Sequence, residues 1–132
     1  MESEVVRQTK KKKLLKLDRI NSEHKVILAK GLFLRAMPDK VRIMARTVTG
    51  LPVEQALNSL KFSPTKSARL IFKVLASAVA NANKNYNRDV DELMVKSILV
   101  DRGPMFKRIH PCAHGRAKPI LKRTCHITVI VD

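Results

Sequence analysis

The sequence predicts an α+β protein in which helices pack against antiparallel strands and one β-hairpin is drawn out far beyond them. Three observations predict it. Thr65 to Asn85 carries apolar residues at helical spacing over its whole length. Two strand-like runs, L-M-V-K-S-I-L-V from Leu93 to Val100 and C-H-I-T-V-I-V from Cys125 to Val131, lie near the end of the chain. Between them, Arg102 to Arg123 has no core pattern, seven Lys or Arg residues and no acid. Hairpin connections usually take two to five residues; this one has 22. At ~3.3 Å per residue, two arms of about 11 residues reach up to ~36 Å from the sheet. A long, purely cationic loop needs an anionic partner that encloses it, and nucleic acid is the polymer that does so.

In chain order, residues 1–25 form a basic arm. Lys10 to Lys13 is a run of four lysines, and like charges in a row resist compaction. Two readings stand: a solvated tail, or an RNA-contacting extension that orders on binding. Leu14, Leu17 and Ile20 allow a short helix there. Residues 26–132 are read as one domain. It opens with V-I-L-A-K-G-L-F-L-R-A, residues 26–36, as an edge strand. Pro38 and Asp39 then start a helix, the proline at its first position and the acid at its positive end. Val41, Met44, Ala45 and Val48 form its buried stripe, and Gly50 ends it.

Leu51-Pro52 opens a second helix with Val53, Ala56, Leu57 and Leu60 inward. Ser63 and Pro64 suit the cap and first position of the third. In that third helix Ile71, Leu75, Ala78, Ala82 and Tyr86 share one face. Lys66, Arg69, Lys73, Ser77, Asn81, Lys84 and Arg88 share the opposite one. No acid interleaves between Thr65 and Arg88, which favours a phosphate-facing stripe over a merely solvated one. Asn85 to Asp91 is a turn-rich connector. In the last strand Ile127, Val129 and Val131 alternate with His126, Thr128 and Ile130.

The chain has 132 residues, 27 Lys and Arg against 11 Asp and Glu, and a net charge of +16. Such an excess favours a permanent polyanionic partner. No apolar run approaches the length of a membrane span, and no membrane partner is expected. The two cysteines, Cys112 and Cys125, are read as reduced thiols. His110, Cys112 and His114 are spaced so that an extended strand would point all three one way, but zinc sites show paired ligands on two knuckles. No metal or other cofactor is expected. There is no phosphate-binding glycine loop and no spaced carboxylate pair, so catalysis is not expected. Aromatics are only 4% of the chain, too few to stack successive bases. Lys and Arg gripping phosphates and RNA shape is the better fit. A helix-turn-helix is disfavoured, because the most basic segment is a hairpin.

The segment A-S-A-V-A-N-A, Ala76 to Ala82, and the block G-P-M-F-K-R … G-R-A-K-P-I-L-K-R-T-C-H-I-T-V resemble ribosomal protein twenty-two of the large subunit, in its bacterial and organellar form. The resemblance runs from about Ala29 to Val131 and includes Pro38-Asp39-Lys40-Val41-Arg42 and Glu54-Gln55-Ala56-Leu57. It implies three helices packed on a small three-stranded antiparallel sheet with one long extended β-hairpin. It implies binding to large-subunit ribosomal RNA, neighbouring large-subunit proteins, a role in assembly, and a hairpin running along the polypeptide exit tunnel. Its location would be the ribosome of a bacterial cytoplasm or of a plastid or mitochondrion.

On this reading Lys107, Arg108, Arg116, Lys118, Lys122 and Arg123 contact RNA from the hairpin. Lys40, Arg42, Lys66, Arg69 and Lys73 contact it from the body. Pro111, Cys112, Ala113, His114 and Gly115 are the tunnel-facing tip, near the nascent polypeptide. The sequence departs from the family pattern there: the family tends to read P-R-A-R-G-R-A, with cations where this chain has Cys112 and His114. The family's tip is also tied to macrolide response, which that departure bears on. The alternative from another class is a free nucleic-acid-binding regulator using the same hairpin.

Overall fold

A computed structural model describes residues 27–132. The basic arm lies outside the described residues. In chain order the elements are β1 (Ile27–Leu34), α1 (Pro38–Val48), α2 (Val53–Phe62), α3 (Lys66–Tyr86), β2 (Val95–Arg102), β3 (Phe106–Pro111), β4 (Ala117–Lys122) and β5 (Cys125–Val131). Short 3-10 turns occupy Val90–Glu92 and Ala113–Gly115. Strands β1, β5 and β2 make a three-stranded antiparallel sheet in that order, and β3 pairs only with β4. This is the predicted α+β arrangement, with β1 on an edge.

Period two in β5 decides which side of the sheet is covered. Cys125, Ile127, Val129 and Val131 are buried, while His126, Thr128 and Ile130 on the other face are half-buried. Helix α3 lies across β1 and β5, α1 lies against β2, and α2 packs on α3. The core is aliphatic: its largest fully buried side chains are Ile27, Leu60, Ile71, Leu75, Leu93 and Ile127. Each such burial contributes roughly 1.5–3 kcal/mol relative to exposure. Each outer strand has a main-chain carbonyl that accepts from a helix side chain. Asn81 Nδ2 donates to Leu28 O at 3.3 Å, and Arg42 Nη2 donates to Val100 O at 3.0 Å. Such contacts blunt a sheet edge that would otherwise pair with another chain.

Helix α1 begins with Pro38 and Asp39 in its first turn and buries Val41, Ala45 and Val48, with Met44 half-buried. The main chain reverses at Gly50, at φ +85°, and Gly50 N–H donates to Val95 O at 2.8 Å. Val53 N–H donates to Leu93 O, and Val95 N–H to Leu51 O. These bonds hold the α1–α2 turn against the start of β2. They also explain why Leu93 and Met94, expected within the strand, precede it. A register shift between Val95 and Ser97 accounts for the imperfect alternation of β2.

Two expectations about α3 are corrected. Ser63 does not cap it, and Pro64 is not its first residue. Ser63 closes α2 in an extended conformation, and the cap is Thr65, whose side chain accepts from Ala68 N–H at 3.3 Å. Ile71, Leu75, Ala78 and Ala82 are buried as expected, but Tyr86 is 37% exposed. Tyr86 is the last helical residue before Asn87 turns left-handed at φ +48°.

The long hairpin is not continuous with the sheet. Gly103-Pro104-Met105 and Arg123-Thr124 interrupt its two arms. Thr124 is 1% exposed; its Oγ1 donates to Pro104 O at 2.6 Å, and Gly103 N–H donates to Thr124 O at 3.0 Å. A Cβ at position 103 would stand 2.5 Å from Thr124 Oγ1, so only glycine fits this pinch undisturbed.

Candidate nucleic-acid interface

Beyond the pinch, β3 and β4 form a ribbon running from Phe106 opposite Lys122 to Pro111 opposite Ala117. Every residue of both strands is exposed. Because opposed residues share a side and neighbours alternate, the ribbon has two different faces. One carries Phe106, Arg108, His110, Lys118, Ile120 and Lys122. The other carries Lys107, Ile109, Pro111, Ala117, Pro119 and Leu121. Four of the predicted RNA-contacting cations thus divide unequally, three on the first face and Lys107 alone on the second. Pro111 and Pro119 lack donors, which suits strands that are both edges and discourages further strand pairing.

At the tip Cys112 N–H donates to Arg116 O at 2.8 Å, and His114 and Gly115 are both left-handed, at φ +59° and +67°. Cys112, Ala113, His114 and Gly115 make the turn at the ribbon's end, and Pro111 is the last residue of β3, opposite Ala117. The extended-strand geometry that would aim His110, Cys112 and His114 one way is absent, because the chain reverses at 113–115. Among the described residues no three His, Cys, Asp or Glu side chains are placed to share a metal. Both cysteines are free thiols. Cys125 is buried in the sheet with its Sγ 3.8 Å from Leu34 O, and burial pushes its thiol above the ordinary range.

On the body, Lys66, Arg69 and Lys73 are exposed along α3, and Lys40 is exposed on α1. Arg42 differs. Its guanidinium is engaged within the chain, 3.0 Å from Asp39 Oδ1 and 3.0 Å from Val100 O. It is a fold residue first, with limited freedom to grip a phosphate. Arg116 stands at the tip, and Arg123 lies beside the pinch.

Two residues near the ribbon root escape sequence reasoning: Arg35 and Phe106. The register of β1 against β5 shifts between Gly31 and Leu34, where Phe33 sits at φ +53°. His126 Nδ1 accepts the Phe33 N–H at 3.0 Å, and the two rings meet edge to face at 4.9 Å between centroids. Past this bulge, the Arg35 guanidinium lies 5.3 Å from the Phe106 ring centroid, with Arg108 at 5.8 Å. Both distances are within cation–π range. Phe106 is an apolar residue outside any stripe, and that lone signal did not distinguish it.

Charge is distributed unevenly along the sheet. Asp89, Asp91, Glu92 and Asp132 gather where β2 begins and β5 ends, and Asp132 pairs with Lys96 at 2.7 Å. The ribbon leaves from the opposite ends of those strands. Most of the acids among the described residues thus lie at the end away from the ribbon, where Arg88 and Lys96 pair with Asp132, and the acid-free ribbon leaves from the other.

Comparison with protein families matches residues 29–132 to the family described as ribosomal protein L22p/L17e. The match spans nearly all of the sheet, the three helices and the whole ribbon. Ribbon, basic helix face and sequence match together make the chain a member of the ribosomal protein L22p/L17e family, large-subunit ribosomal proteins that bind ribosomal RNA.

Proposed function

We propose that the ribbon of this ribosomal protein is enclosed by RNA and runs along the polypeptide exit tunnel, its 111–115 tip facing the lumen and the nascent chain. The observation that carries this reading is a two-stranded ribbon exposed over its whole length, bearing cations and no acid. Such a ribbon gains no core contacts from its own body, so an external polyanion must order it. Lys107, Arg108, Arg116, Lys118, Lys122 and Arg123 are assigned to RNA from the ribbon, and Lys40, Lys66, Arg69 and Lys73 from the body, with Arg42 secondary. Gripping RNA from ribbon and body at once supports a role in folding the subunit during assembly. The body, residues 26–132, acts as one domain, and the ribosome concerned is that of a bacterial cytoplasm or an organelle.

Sedimentation of a native lysate tests the enclosure. Co-migration with the large subunit through a high-salt wash, lost after RNase, is the expected result. Release at moderate salt would favour a surface-bound nucleic-acid regulator instead. The tunnel assignment has its own test. Cys112 is half-buried at the tip and Cys125 fully buried. A thiol crosslinker on stalled ribosomes should therefore join the nascent chain to Cys112. If Cys112→Ala leaves the crosslink intact, the lumen-facing tip is refuted.

A further inference from the structure

We propose that the open face of the β1-β5-β2 sheet is a docking surface for this chain's own residues 10–20, laid over it as an amphipathic helix. The three helices cover only the face that carries Ile127, Val129 and Val131. On the other face Leu28 stands opposite Ile130, and Lys30 and Leu99 flank Thr128 from either side. Alternation along β1 adds Leu32, and the ring contact with His126 adds Phe33. Leu28, Leu32, Phe33 and Leu99 are exposed, and Ile130 is half-buried. Large apolar side chains gathered on one uncovered face mark a surface that another element covers. Asp101, opposite His126, brings an acid to this face, and none of the ion pairs among the described residues involves it.

Length, spacing and charge together point to residues 10–20 as the occupant. They are tethered beside the face: 26 residues precede Ile27, and Ile27 sits opposite Val131, one row before Leu28 and Ile130. Residues 21–26 reach up to ~20 Å when extended, enough to turn the chain back over the sheet. Leu14, Leu17 and Ile20 then form an apolar stripe ~9 Å long on a helix. With Ile20 over the Leu28–Ile130 row, Lys10 to Lys13 fall ~10–15 Å further along. The Asp101–His126 row lies ~13 Å from the Ile130 row in the same direction. Apolar stripe thus meets apolar rows, and the lysine run meets the Asp101 carboxylate. A lone helix this short is marginal in water, and docking its apolar stripe supplies the stability it lacks. A second copy suits the face poorly, because two chains of net charge +16 repel. RNA suits it poorly as well, since apolar side chains release no counterions from phosphates.

The test uses the full chain in solution, free of RNA, with its leucine and isoleucine methyl groups followed by NMR. A spin label is attached at Lys16→Cys, off the apolar stripe, in a Cys112→Ala background; Cys125 is buried and stays unlabelled. The label should broaden Leu28, Leu99 and Ile130 and spare Leu57 and Leu60 of α2, on the far side of the sheet. Leu14→Ser, Leu17→Ser and Ile20→Ser together should abolish the broadening and lower the midpoint of thermal unfolding. Asp101→Asn should weaken the broadening at low salt and change it little at high salt, where the charge pair is screened. Broadening that is absent, that falls equally on α2, or that survives the triple serine variant overturns the docking. Mixing spin-labelled chains with isotope-enriched chains that carry no label separates the remaining occupant. Broadening that arises in the mixture and grows with concentration makes a second copy the partner, and overturns the docking too.

Discussion

Adding one methyl group at position 103 should destabilise the body, although Gly103 is far from the core centre. The new Cβ would stand 2.5 Å from Thr124 Oγ1 and 3.2 Å from His126 Nε2. Thr124 has little room to yield, being 1% exposed with its hydroxyl bonded to Pro104 O at 2.6 Å. Rotating the hydroxyl away sacrifices that bond, about 1 kcal/mol. The remaining crowding costs roughly 1–2 kcal/mol. Alanine also restricts the unfolded chain, which returns about 0.5–1 kcal/mol. The net loss is therefore ~1–2.5 kcal/mol, or roughly 3–12 °C in Tm for a protein of this size. Urea and thermal unfolding followed by circular dichroism would measure it. Thr124→Ala alone should cost about 1 kcal/mol. The double variant should cost less than the sum of the two, because the alanine at 124 removes the atom in collision. Additivity within ~0.5 kcal/mol would mean that the two sites do not meet, and would refute the account of the pinch.

Other perturbations have equally definite outcomes. Leu75→Ala, at a fully buried site on α3, should cost roughly 2–5 kcal/mol in urea unfolding. Replacing Phe106 to Lys122 with an Asn-Gly turn, a cut made on register partners, should leave cooperative unfolding intact and weaken RNA binding. Loss of the unfolding transition would show that the ribbon supports the body. Arg42→Ala should lower stability by about 1 kcal/mol through the bond to Val100 O, and Arg42→Lys should not restore it. In the native protein Cys112 should react with a thiol reagent at once and Cys125 only on unfolding. The raised Cys125 value means that the folded state holds its proton more tightly. Stability should thus be full below the ordinary thiol range and fall as pH rises through it, and Cys125→Ala should flatten that fall.

The readable parts of the fold were those set by periodicity. The alternation of Ile127, Val129 and Val131 and the stripe through Ile71, Leu75, Ala78 and Ala82 are repeated signals, and each matches the buried face observed. The start of α3 was misjudged because Ser63, Pro64 and Thr65 all carry start signals, and only the closing geometry of α2 chooses among them. The basic hairpin was legible as charge without acid over a long connection. Its division into two unlike faces was not, since the faces depend on register and a one-residue slip would exchange them. Arg35 was missed for a related reason. Its direction follows from Phe33 at φ +53°, a conformation that an aromatic residue rarely adopts and that nothing in its local sequence announces.

The exposure of every residue in β3 and β4 separates two kinds of constraint within one short chain. Changes in the body are judged by whether it folds. Changes along the ribbon beyond its root leave the folding equilibrium nearly untouched and are judged only by the surface that receives them. The ribbon can therefore drift in step with its RNA, residue by residue, while the body stays fixed.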